Sequence, residues 1–222
     1  MILNLLQLAS PALPLGGYSY SEGLETLVET GGITSAVQLE DWMNAALRYG
    51  TIQLEAAIAI RAYRCIISGD LPQLAAWNQW LSASKETSEL RQQSWQMGQS
   101  LMRLLLDLEE HPQVATYVES VPPPWNYALA FGIGAACWQI DEREALLGYL
   151  HSWASNLIGA GIKLIPLGQT AGQKLLKSIH PRLEVCADRS LQLSDDELAS
   201  CSWGLGFVSM AHETQYTRLF RS

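Results

Sequence analysis

Between Ala128 and Trp138 the chain reads Ala-Leu-Ala-Phe-Gly-Ile-Gly-Ala-Ala-Cys-Trp, with no charged or strongly polar side chain on any face. A helix that is apolar all round cannot lie on a protein surface; it is either a membrane span or the centre of a helical core. Eleven residues rise about 16 Å, and a bilayer span needs about 20 residues, so the segment must be enclosed by other protein. Gly132 and Gly134 leave room for a neighbouring helix to come close. A chain with such a centre needs amphipathic helices to surround it.

Those helices can be read from their start and stop signals. Ser35 with Gln38 opens a helical pattern through Trp42, Leu47, Ile58 and Ile66 that ends at Gly69, with Gly50 placed to bend or divide it. Asp70 with Gln73 restarts a short helix, and Leu90 to Leu108 recur at helical spacing within a helix expected over Lys85 to Glu110. His111-Pro112 and Val121-Pro-Pro-Pro124 are breakers that serve as joints inside one domain. Asp141 with Glu144 opens a helix to about Lys163. A further helix over Leu167 to Ile179 is expected to stop before Pro181, leaving Glu184 to Leu193 as loop or short strand. Ser194 with Glu197 is expected to cap the last helix, through Trp203, Phe207 and Met210 towards His212. Alternating β-branched runs are scarce. The expectation is an all-α, single-domain helical bundle of roughly eight to ten helices.

Charge narrows the function. The 222 residues carry 14 Lys and Arg against 22 Asp and Glu, a formal charge of -8, which disfavours a nucleic-acid backbone as ligand. Hydrophobic residues make up 48% and charged ones 16%, a surplus of apolar surface that suits a protein partly covered by partners. Cys65, Cys137, Cys186 and Cys201 lie far apart, as expected in a reducing cytosol, and Met1-Ile-Leu-Asn lacks the basic flank of a signal peptide. A cytoplasmic chain without a membrane span is expected.

Catalytic templates each miss a required position. His212-Glu213 begins a zinc motif, but Tyr216 stands where the second imidazole belongs. Gly17-Tyr-Ser19 begins a nucleophile elbow, but Ser21 replaces its closing glycine. Gly204-Leu-Gly206 reaches Ser209 instead of a third glycine, and there is no phosphate loop. His111, His151, His180 and His212 are dispersed; His180 and Cys186 alone are near enough in sequence to suggest a weak metal pair. Glu86 with Glu89, and Asp195 with Asp196, fit helix N-termini, where negative charge opposes the dipole.

Two segments demand more explanation. Residues 8–25, Leu-Ala-Ser-Pro-Ala-Leu-Pro-Leu-Gly-Gly-Tyr-Ser-Tyr-Ser-Glu-Gly-Leu-Glu, combine prolines, adjacent glycines and two exposed-looking tyrosines, Tyr18 and Tyr20, with Ser21 able to cap the helix bearing Glu25. Residues 212–222 interleave Tyr216, Leu219 and Phe220 with Arg218 and Arg221, a composition typical of protein interfaces. Because this tail follows the last helix, it is expected to contribute little to the core.

Together with Lys85-Glu-Thr-Ser-Glu-Leu-Arg91 and Gly161-Ile-Lys-Leu-Ile-Pro-Leu-Gly-Gln169, these two segments resemble the UreF family of urease accessory proteins, in the family's order and across essentially the whole chain. Thr217 stands where serine is common and Glu22 where glutamine is often found. The resemblance implies an all-α cytosolic homodimer that bridges UreD (also called UreH) and the GTPase UreG on the urease apoprotein, with nickel passing through the assembly and no cofactor held by this chain. By position it ties Glu25 and Lys163 to control of the GTPase step. Tyr18, Tyr20 and the tail residues Tyr216, Arg218, Leu219, Phe220 and Arg221 would serve partner docking or the dimer contact. Other readings stay open: Glu25 and Lys163 as helix-dipole partners, Tyr18 and Tyr20 as core, and the tail as a frayed end. A serine hydrolase using Ser19 or Ser21, or a nickel-storing metallochaperone, are the rivals from other classes.

Overall fold

The computed structural model describes residues 2–108, 112–200 and 202–222, so Glu110, His111 and Cys201 lie outside the described residues. The apolar run forms α8 (Tyr127–Cys137), and Leu129, Phe131 and Ile133 within it are completely buried. It packs chiefly against α4 (Thr51–Ser68) and α6 (Ser88–Leu108). The α4 contact requires glycine. A Cβ on Gly132 would sit 2.1 Å from the Ala59 carbonyl oxygen, so the two backbones meet where any side chain would part them. Phe131 and Tyr127 pack with Tyr149 of α9 (Glu142–Leu164), ring centroids 5.2–6.1 Å apart, joining the central helix to its other flank.

Local chemistry accounts for several helix ends. Ser35 accepts from the Gln38 amide at 3.3 Å to start α3 (Ala36–Tyr49), Asp70 accepts from the Gln73 amide at 3.1 Å to start α5 (Leu71–Ser84), and Asp141 accepts from Arg143 and Glu144 to start α9. Gly50 divides α3 from α4 by taking an extended conformation (φ -90°, ψ 175°). Lys85 is likewise extended at the end of α5, so α6 begins at Ser88, three residues later than expected. Short helices α1 (Ile2–Leu8), α2 (Leu24–Glu29) and α7 (Pro112–Ser120), with α10 (Gln169–Gln192) and α11 (Trp203–Glu213) of the C-terminal third, bring the count among the described residues to eleven, with no strand.

Two expectations near the C-terminal third are corrected. Helix α10 (Gln169–Gln192) runs straight through Pro181, and Glu184 to Leu193 is helix apart from its last residue. An interior proline costs roughly 3 kcal/mol. Leu175, Ile179, Leu183, Cys186 and Ala187 form one buried stripe across it, and burying such side chains contributes about 1.5–3 kcal/mol for each large one. Burial wins. The Ser194–Glu197 capping box is present, but it closes a single 3-10 turn (Asp195–Glu197) whose Asp195 pairs with Arg61 at 2.7 Å; the last helix, α11 (Trp203–Glu213), starts six residues after that turn.

Candidate functional site

Helix α11 packs on α2 and α6, which buries His212 completely in its last turn. A buried imidazole needs partners for both nitrogens. Here Nδ1 lies 2.8 Å from Glu89 Oε2 on α6, and Nε2 lies 3.3 Å from Glu25 Oε2 on α2. Gly23, in the left-handed region (φ 77°), lets α11 approach this closely, since a Cβ there would stand 2.7 Å from Val208 Cγ2.

Beyond Glu213 the chain turns back over α2 and is fastened through Arg218 to Ser222. Glu25 Oε1 accepts from the Leu219 amide at 2.6 Å and its Oε2 from the Phe220 amide at 2.9 Å, so one carboxylate holds two successive peptide groups. Hydrogen bonds to a charged acceptor contribute about 1.5–3 kcal/mol each. Glu89 Oε1 accepts from Arg218 at 3.1 Å. The Arg221 amide donates to the Ser19 carbonyl at 2.8 Å, and Ser21 donates both its amide (2.9 Å) and its hydroxyl (2.6 Å) to the Ser222 carbonyl. Phe220 is 5% exposed and belongs to the hydrophobic core, with Lys163 Nζ 5.3 Å from its ring centroid, a cation–π contact. The tail is therefore part of the folded body, contrary to the expectation that it adds little to the core. It also begins later than expected, since His212 and Glu213 are still helical.

The outer face of this latch is apolar. Tyr216 is fully exposed and Leu219 largely so, while α11 turns Trp203, Phe207 and Met210 outward at helical spacing. The carboxylate-held loop thus keeps Tyr216 and Leu219 fixed in place on the water side.

Beneath the motif of residues 8–25 lies a cavity of about 590 Å³ with Trp42, Leu90 and Met97 among its walls. Its polar floor joins Glu22, Glu55, Lys85 and Tyr149: Lys85 pairs with Glu55 Oε1, and the Tyr149 hydroxyl donates to Glu55 Oε2 at 2.6 Å. Glu22 has a positive φ of 53° and accepts from Trp153 Nε1 (3.0 Å) and Gln93 Nε2 (3.1 Å). Burial, reinforced by the nearby Glu55 charge, pushes its carboxyl up to about 7. Gln93 also accepts from the Ser222 hydroxyl at 2.6 Å, so the cavity and the tail share a side chain.

The model of the family described as UreF matches residues 33–180. The chain belongs to the UreF family. It is 58% identical over 220 residues to the urease accessory protein UreF of Trichormus variabilis, covering 99% of this chain and 95% of that one. The corresponding protein of Synechocystis is 54% identical (99% and 97% covered), and that of Pseudoalteromonas translucida is 38% identical (100% and 94%).

In this UreF-family chain the four segments that carried the resemblance converge: Glu25 from the first, Glu89 from the second and Lys163 from the third all touch or brace the fourth, the tail. Tyr18 is exposed, and with Lys163 it lines the cavity. Tyr20 is not exposed. Its hydroxyl donates to Gln96 Oε1, and burial raises its phenol above the ordinary value against the opposing effect of Arg221. The Ser21 hydroxyl, one candidate nucleophile, is wholly buried and committed to the tail and to the Glu25 amide. His180 lies on the surface of α10 while Cys186 is buried, its thiol pushed up to about 11 by burial, so they do not form a metal pair. Among the described residues no group of three or more His, Cys, Asp and Glu is arranged to hold a metal ion.

Sequence reasoning gave Glu89 to the helix dipole and His212 to a failed zinc motif, and it missed the Glu22–Glu55 floor altogether. The one available signal was Ser-Glu-Gly at 21–23, a tight turn closed by the Leu24 amide on the Ser21 carbonyl at 3.1 Å, in which Glu22 as well as Gly23 takes a positive φ that a glutamate seldom adopts.

Proposed function

We propose that this chain is a non-catalytic urease accessory protein that serves urease maturation as a homodimeric scaffold, bridging a UreD/UreH-type protein and the GTPase UreG on the urease apoprotein. In this reading GTP-dependent insertion of nickel, the cargo, is modulated by the scaffold, which holds no cofactor. The observation that carries the reading is the latch: buried Glu25 and His212, with half-buried Glu89, hold a tail whose Tyr216, Leu219 and Arg218 remain outside. A buried anchor with an exposed aromatic face is the anatomy of an interface hot spot in search of a pocket. Glu25 would then act on partners through the tail it positions, and Lys163 through the Phe220 ring it covers, which is how charges away from a GTPase could affect its complex.

Co-purification tests the reading. Wild-type protein should retain a UreD/UreH-type partner and, through it, UreG, whereas a Tyr216→Ala, Leu219→Ala double variant with unchanged circular dichroism should lose the partner. Full retention by the double variant would refute the docking role of the tail.

A further inference from the structure

Helices α9 and α10 lie antiparallel, and their register is fixed by Arg143 and Asp188, paired through two nitrogen–oxygen contacts of 2.6 and 3.2 Å. Two turns further along the same seam, His151 of α9 meets His180 of α10, ring centroids 6.0 Å apart and planes inclined at 48°. Both side chains are on the surface. Histidines that are 29 positions apart in sequence, and that read there as dispersed, are thus neighbours on two rigid helices. We propose that His151 and His180 together form a surface site for one borderline divalent transition-metal ion such as Ni²⁺ or Zn²⁺, with water completing the coordination.

Distance supports this. An imidazole nitrogen binds such an ion at about 2.0–2.1 Å, which puts the ion about 3.2 Å from each ring centre. Two rings sharing one ion therefore have centroids from about 4.5 Å apart, for a right-angled pair of ligands, to about 6.4 Å, for an opposed pair. The observed 6.0 Å falls inside that range, and a small side-chain rotation spans the rest of it. Imidazole is the side chain that suits nickel, zinc and copper alike, and with no third His, Cys, Asp or Glu grouped with this pair among the described residues the site is limited to weak, exchangeable binding. The site lies on a different pair of helices from the tail latch and does not rest on the scaffold reading.

Isothermal titration of the full-length protein with NiCl₂, and separately with ZnCl₂, tests it. One equivalent should bind in the range of tens of micromolar. His151→Gln and His180→Gln should each weaken that binding at least tenfold, and the double variant should be no weaker than either single one, because losing one ligand already destroys a shared site. Circular dichroism and melting temperature check that both surface variants are folded. Unchanged affinity in either single variant, or losses that add in the double variant instead of coinciding, would overturn the proposal.

Discussion

Replacing Glu22 by glutamine should make this protein more stable at alkaline pH and no more stable, or slightly less, in acid. An unfolded glutamate ionises near 4.5, whereas the buried Glu22 carboxyl holds its proton up to about 7. The folded state therefore binds the proton more tightly than the unfolded one. The stability it contributes is full below pH 4.5 and is lost as pH rises through about 7. The gap between those two values corresponds to roughly 3 kcal/mol, the cost of keeping a carboxylate beside Glu55 in the cavity floor above pH 8. Glutamine removes the charge but turns one acceptor oxygen into a donor, so either the Trp153 or the Gln93 hydrogen bond is lost, costing about 1 kcal/mol. The net gain is about 2 kcal/mol at pH 8; at pH 5, where the unfolded carboxyl is already mostly ionised, the two effects nearly cancel, and the loss of about 1 kcal/mol is reached only below about pH 4. For a chain of this length the alkaline gain raises the melting temperature by about 4–8 °C. Differential scanning calorimetry of both proteins from pH 5 to pH 8 reads this directly. A melting-temperature difference that stays constant across that range would show that Glu22 is already ionised in the fold, and would refute the reasoning.

Glu25→Ala should leave the helical signal intact while releasing the tail, so that trypsin cleaves after Arg218 at least tenfold faster than in wild type and binding of a UreD/UreH-type partner falls by a similar factor; equal cleavage rates would deny Glu25 its anchoring role. Phe220→Ala, which empties a core position, should cost about 3–5 kcal/mol in urea unfolding, whereas Tyr216→Ala on the same tail should cost less than about 0.5 kcal/mol. Gly132→Ala, with its methyl group 2.1 Å from a carbonyl oxygen of α4, should lower the melting temperature by roughly 5–10 °C, as overpacking of about 2–3 kcal/mol requires. Lys163→Ala should leave stability nearly unchanged yet alter GTP hydrolysis by the assembled UreG complex, and an unaltered rate would assign the lysine to packing on Phe220 alone.

What the sequence determined by itself was everything that depends on neighbours along the chain. The all-round apolar run of α8 dictated a central helix, Ser35, Asp70 and Asp141 marked helix starts because a cap acts within three residues, and Gly69 marked a stop through its own φ of 75°. Where the outcome hinged on distant surfaces the local signals misled. Pro181 reads as a terminator, and only burial of the α10 stripe against α3, α4 and α9 carries the helix past it. The tail reads as a free end, and only the folded chain reveals that Glu25 lies under Leu219 and Phe220, 194 and 195 positions away. The same holds for His212 between two carboxylates, for Glu22 facing Glu55, and for His151 beside His180. Periodicity and capping are short-range physics, legible residue by residue. Which charged groups end up sharing one buried site is decided by how the helices pack, and packing is settled by the core as a whole.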